Sequence, residues 1–383
     1  MKTKELIFSS FRFPKCGIEL KNRIVMAPMT TFSGHDDGMV SDEELEYYKE
    51  RAATAGLILP ACAYIHPGGK AFTGQIGADS DDKIPSMRKI ADTLKSRGAK
   101  VVFQIHHGGR MCPTNTLPPG TLPVSASAVK AERDGLVEPR ALEPDEIEML
   151  IEAYAQAAVR AVKAGYEGVE IHGANTYLIQ QFFSPHSNRR TDKWGGSLEN
   201  RMRFPLAVVD AVVEKVRSTT DRPFIIGYRL SPEEIETPGI TIEDTLHLVD
   251  ALANKDLDYL HISTLSFNSP SMRNPEDTRA RTLVIKEFLQ DRIPLIGVGE
   301  VHTPDDAAEI LSSGIPLVAM GRELIMEPHW LEKLESGKEN EIETELCVDK
   351  RKELKVPETM WQMITSRPGW FPTKKTELNM DNF

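Results

Sequence analysis

The stretch VEIHGANTYLIQQFFSP, beginning at Val169, leaves an apolar strand and places His172, Asn175 and Tyr177 within six positions. Imidazole, carboxamide and phenol are hydrogen-bonding groups, and the phenol also holds a transferable proton. Spent where a strand leaves the core, they either serve a ligand or cap the strand end with Tyr177 packed inward.

Other apolar runs end in residues of the same kind. RIVMAP closes on Pro28 and is followed by Met29, Thr30 and Thr31, Cys62 lies in LILPACAY, and Gln104, His106 and His107 end VVFQIHH. Arg229 ends FIIGYRL, and His261 and Ser263 end DYLHIS. The last two runs close on Gly297-Val-Gly299-Glu and Gly321-Arg322-Glu. Glycine lets backbone N–H groups approach a phosphate, and Arg322 adds a planar, permanently charged fork. The alternative for the glycines alone is a tight turn.

The remaining groups are mostly neutral hydrogen-bonders, with Arg229 the exception. A metal hydrolase needs converging His and carboxylate ligands. His106, His172 and His261 are candidates for that, with Glu170 and Glu300 nearby in sequence, but no H-x-H marks the first strand, and no metal is expected. A flat cofactor bearing a phosphate suits the set better. Gln104 can donate and accept along a uracil-like edge, Thr30 can donate to a ring oxygen, and Arg229 would stabilise an anionic reduced flavin.

These groups need elements to hold them. Eight short apolar runs begin at Arg23, Leu57, Val101, Gly168, Phe224, Asp258, Pro294 and Leu317, with helical spacing between them. Ile147, Leu150, Ile151, Tyr154 and Ala158 share one helix face, and Pro144, Asp145 and Glu146 suit a first turn. Thr303 reads as an N-cap before Pro304, Asp305 and Asp306, with a stop before Gly314. Eight strand–helix units predict an α/β fold, a single (β/α)8 barrel of the TIM type, with its active site at the C-terminal strand ends. The alternative, an open doubly wound sheet, lacks a G-x-G-x-x-G after any strand. Residues 1–383 read as one domain. The barrel spans about 22–337, with an N-terminal extension, a lid-like insertion from Met111 to Glu143 and a C-terminal extension over 338–383.

Of 383 residues, 40% are hydrophobic, and the net charge is −11, which speaks against a nucleic-acid partner. No apolar run reaches the length of a membrane span, and the N-terminal apolar run is too short for a signal peptide, so a cytoplasmic location is expected. Cys16, Cys62, Cys112 and Cys347 are far apart, without C-x-x-C.

SPHSNRRTDKWGGSLENRMRF, from Ser184 to Phe204, together with FQIHHGGR and EPRALEPDEI, makes the chain resemble the old yellow enzyme family of FMN-dependent ene-reductases. Asn188, Arg190, Asp192, Trp194, Gly195, Gly196, Ser197, Asn200 and Arg201 match its motif, whose role here reads as a turn network with Ser197 capping a helix. The resemblance implies FMN, with NADH or NADPH as co-substrate, and an electrophilic alkene as small-molecule substrate, reduced by a ping-pong mechanism. It implies that Pro28, Thr30, Cys62, Gln104 and Arg229 contact the flavin, and that Gly299, Gly321 and Arg322 hold its phosphate. His172 and Asn175 would grip a substrate oxygen, and Tyr177 would give the proton. Many relatives have a second His at the Asn175 position. In some relatives a C-terminal Arg or aromatic reaches a neighbouring subunit. Trp361, Arg367 and Trp370 are candidates for that, with packing on their own barrel as the alternative, and a homo-oligomer is left open. A Schiff-base lyase would want a strand-end lysine, which none of the eight carries. A non-catalytic flavin carrier would be expected to lack His172, Asn175 or Tyr177.

Overall fold

The computed structural model describes residues 2–375. The eight expected strands are β1 Ile24–Met26, β2 Leu57–Ile58, β3 Lys100–His106, β4 Gly168–Gly173, β5 Ile225–Leu230, β6 Tyr259–Ile262, β7 Leu295–Val298 and β8 Leu317–Met320. Each pairs in parallel with the next, and β8 pairs with β1, so the barrel closes. The helices between them are α1 Asp42–Arg51, α2 Ile84–Lys95, α3 Pro144–Ala164, α4 Leu198–Thr219, α5 Ile242–Ala253, α6 Arg281–Leu289 and α7 Pro304–Ser312, with α8 Trp330–Glu335 after the last strand.

Successive side chains on a strand point to opposite faces. Val25, Val102, Ile225, Tyr259, Ile296 and Leu317 therefore fill the barrel, while Ile24, Val101, Val169, Ile226, Leu260 and Val318 face the helices. The Tyr259 ring fits inside because its neighbour in register is Gly227, where a Cβ would strike that ring.

The helix ends follow local chemistry. Thr303 caps α7 by accepting from the Asp306 N–H, and Gly165 ends α3 in the left-handed region, at φ 91°. Ser197 caps α4, and the motif before it is a turn network. The Asn188 amide donates to the carbonyls of Phe182 and Trp194, and Arg190 pairs with Asp192.

The first residues form a helix, Lys2–Phe8, and a two-stranded hairpin. Strands Val124–Ser125 and Arg140–Ala141 pair within the insertion after β3. The C-terminal extension folds back on its own barrel. Trp361 is buried, and the Trp370 carbonyl accepts from Arg322 Nη1 at 2.9 Å.

One buried acid gives a pH prediction. Glu44, in the first turn of α1, takes the Thr31 hydroxyl and reaches back to the Ser41 N–H. Burial pushes its pKa up to about 7. The folded value lies above the unfolded one of about 4.3, so this group favours folding fully at low pH and less as pH rises through 7. Glu44→Gln is expected to gain roughly 1–3 kcal/mol over the wild type at pH 8 and close to nothing at pH 4, read by urea unfolding. An equal gain at both values would refute it.

Candidate active site

The same alternation builds the site. Gln104 and His106 on β3, Glu170 and His172 on β4, Arg229 on β5 and His261 on β6 all occupy inward positions near the C-terminal strand ends, and all are buried. Register sets Arg229 beside His172 on one side and His261 on the other, with Gln104 beside Glu170.

Glu170 is fully buried and organises the floor. Its carboxylate accepts from Gln104 Nε2 at 2.6 Å, the Tyr259 hydroxyl at 3.0 Å and His261 Nδ1 at 2.9 Å. Burial works against its charge, but His261 and the Arg229 guanidinium outweigh that and keep it ionised. With Nε2 committed to Glu170, Gln104 keeps its carbonyl oxygen as the group free to meet a ligand.

Arg229 Nε is buried and has no hydrogen-bond partner among the described residues. An unsatisfied buried donor costs about 1–3 kcal/mol, more when charged, which is the mark of a site that a ligand completes. The acceptors on the pyrimidine edge of a flavin match this donor, and its N–H matches the Gln104 carbonyl.

Thr30 and Cys62 flank this floor. Pro28 and Thr30 are half-buried beyond β1, and the Thr30 hydroxyl reaches the Cys62 thiol. Burial pushes the Cys62 pKa up to about 12, so the thiol stays protonated. Gln75 Nε2 contacts both its carbonyl and its sulfur.

Across the barrel, Gly299, Gly321 and Arg322 line a cavity of about 210 Å³ with Met29, Trp370 and Arg229 at its walls. Gly299 has φ 120°, and a Cβ there would lie 2.6 Å from the Ser266 Cα, so the turn admits glycine alone. The expected phosphate residues thus share one corner. Glu323 lies there too, bound to His302 Nδ1 at 2.9 Å, and burial pushes its pKa up to about 7.

His172 and Tyr177 come together with ring centroids 5.1 Å apart, and His106 packs edge-on to Tyr177 at 4.3 Å. The Ala174 N–H donates to His172 Nδ1 at 3.3 Å, so Nε2 carries the ring proton. Burial pulls the His172 pKa well down and keeps it neutral, while burial raises that of Tyr177. Asn175 stands apart at the exposed rim, at φ 57°. Its Oδ1 accepts from the Ser263 hydroxyl at 2.8 Å, which leaves its NH2 as the donor. Tyr177 floors a second cavity, of about 350 Å³, walled by Phe72, residues of the insertion such as Met111 and Arg133, and Met363 and Arg367 of the C-terminal extension.

Tyr259 and Gln75 carry no mark of a site in the sequence, and Glu170 stands out there only as a carboxylate near the candidate metal-binding histidines. The signal for Glu170 was present: it sits two positions before His172 and so shares its inward face. Gln75 lies in a loop with no periodicity to place it. No group of three or more His, Cys, Asp or Glu side chains is placed to hold a metal among the described residues.

A closed (β/α)8 barrel with a glycine–arginine corner, a polar floor with an unsatisfied arginine and a histidine–tyrosine pair matches the FMN-dependent oxidoreductases. The chain belongs to the NADH:flavin oxidoreductase / NADH oxidase family, whose model matches residues 7–341, and within it to the old yellow enzymes. It is 45% identical to the probable NADH-dependent flavin oxidoreductase YqiG of Bacillus subtilis, over 96% of this chain and 98% of that one. It is also 45% identical to the NADH:fumarate oxidoreductase of Klebsiella pneumoniae, but over 94% of this chain and only 39% of that protein. Morphinone reductase superposes with a TM-score of 0.74 at 32% identity, over 86% of this chain and 89% of that one. No helix among the described residues is long and apolar enough to cross a membrane.

Proposed function

We propose that this enzyme takes hydride from NADH or NADPH onto FMN and reduces electron-poor C=C bonds in a second half-reaction at the same site. Bound FMN supplies the hydride chemistry. Gln104, Arg229, Thr30, Pro28 and Cys62 hold its ring, and Gly299, Gly321 and Arg322 hold its phosphate. His172 Nε2 and the Asn175 amide donate to the substrate oxygen and draw electron density off the alkene. Tyr177 keeps its proton until charge builds at the carbon α to that group, then donates it. One cavity serving both partners in turn gives ping-pong kinetics.

The observation that carries this reading is the pairing of a neutral, Nε2-protonated His172 with Tyr177, ring centroids 5.1 Å apart, where Tyr177 opens onto a cavity. The relatives named for fumarate and acrylate support C=C reduction, although the chain spans only 39% and 35% of them.

The test is the visible spectrum of the purified, FMN-loaded protein under anaerobic conditions. Bleaching by NADH or NADPH, with recovery on adding cyclohexenone, is the expected result, and the faster of the two identifies the preferred nicotinamide. A flavin that bleaches and stays bleached with enone, nitroalkene and enoate alike would remove alkene reduction from the reading. Failure to take up FMN would sink it altogether.

A further inference from the structure

We propose that His106 is a third hydrogen-bond donor to the substrate, and that the site is therefore built for an alkene whose activating group carries two oxygens, a carboxylate or a nitro group. This rests on the reading that the substrate oxygen lies between His172 and Asn175.

The Gln75 amide behind His106 sets the tautomer of the ring. The Ala71 N–H donates to Gln75 Oε1 at 2.8 Å, so the other end of that amide, Nε2, is the donor. Of the two Gln75 Nε2 hydrogens, one faces Cys62, whose carbonyl lies at 3.2 Å and sulfur at 3.5 Å, and the other goes to His106 Nδ1 at 3.1 Å. A nitrogen that accepts carries no proton in a neutral ring, so the His106 proton is on Nε2. Burial pulls the His106 pKa down to about 3, so the ring is neutral throughout the working range.

That Nε2–H is buried and has no partner among the described residues, although the ring packs edge-on to Tyr177 and lies 5.3 Å from His172. The phenol does not accept from it. A buried donor without an acceptor is costly unless a ligand brings one.

The count of donors then selects the ligand. A ketone oxygen has two lone pairs, and His172 with Asn175 already use both. A third converging donor calls for a second oxygen on the same group. The cavity onto which Tyr177, the ring packed against His106, opens is lined by Arg133 and Arg367 against Asp134, an excess of one positive charge that favours an anion.

The experiment titrates the oxidised, FMN-loaded enzyme with benzoate, nitrobenzene and phenol, reading the shift of the flavin absorption band. His106→Phe keeps the ring and removes the donor. It is expected to weaken benzoate and nitrobenzene about tenfold, and phenol by less than about twofold. Loss for benzoate alone also supports the proposal and assigns the carboxylate. Gln75→Leu, which unlocks the tautomer without touching the ligand, is expected to give the same order of effects at smaller size.

Equal weakening of all three ligands would show that His106 only shapes the pocket, and no weakening would show that it donates to nothing there. Either overturns the proposal, as would weaker FMN binding with unchanged ligand affinity. If phenol fails to perturb the wild-type flavin, the oxygen site at His172 and Asn175 fails first, and that result is separate from the others.

Discussion

Tyr177→Phe is expected to slow reoxidation of the reduced enzyme by an alkene about 10²–10³-fold, while reduction by NADH stays within about twofold. The asymmetry follows from what each half-reaction needs. Hydride transfer from the nicotinamide calls for no proton from the protein at that position. Alkene reduction leaves a developing carbanion, and a poised acid next to it is worth two or more powers of ten. Burial raises the Tyr177 pKa, so the phenol is un-ionised at every working pH and the proton is always available. Phenylalanine fills the same volume against His106, His172 and Phe72, so the pocket should survive the change. Stopped-flow measurement of the two half-reactions separates the cases. Equal losses in both would mean that Tyr177 packs and does not donate.

Glu170→Ala is expected to cost about 3–5 kcal/mol of stability, the penalty for breaking a buried charged network by removing one member. The change strands three donors at once, from Gln104, Tyr259 and His261, and leaves the Arg229 charge without its counterion. Glu170 is fully buried in the barrel interior, so the change leaves these donors facing a cavity instead of bulk water. Glu170→Gln keeps the shape and one acceptor, so its loss should be smaller. Urea unfolding of both variants, with FMN content measured alongside, checks the order. A loss below about 1 kcal/mol for Glu170→Ala would show that the floor is not held by this carboxylate.

Both predictions concern residues on one strand and the turn after it, and they differ in how far the sequence reveals them. His172, Asn175 and Tyr177 stand out locally, because polar groups crowd where an apolar run ends. Their arrangement is not local. Tyr177 meets His172 across the turn and His106 from β3, while Asn175 lies at the rim with Ser263 of another strand end. The pairing of Gln75 with His106 joins positions 31 apart through an irregular loop, and no spacing rule reaches it.

The sequence by itself determined the elements and the barrel. Strand alternation and apolar runs are set by the faces each residue must bury, and Ser197, Thr303, Pro144 and Gly165 act within a turn of where they stand. It also determined which strand ends carry polar groups, because a barrel interior is read two residues at a time. Only the tertiary structure decided which of those groups meet. Register between strands set Gln104 against Glu170 and Arg229 against His172. The curvature of the sheet across β4, β5 and β6 brought His261 to the carboxylate. The C-terminal extension folded onto its own barrel, with the Trp370 carbonyl on Arg322. Such contacts depend on the packing of whole elements, and a one-residue slip in a barrel strand would turn that strand's side chains to the other face.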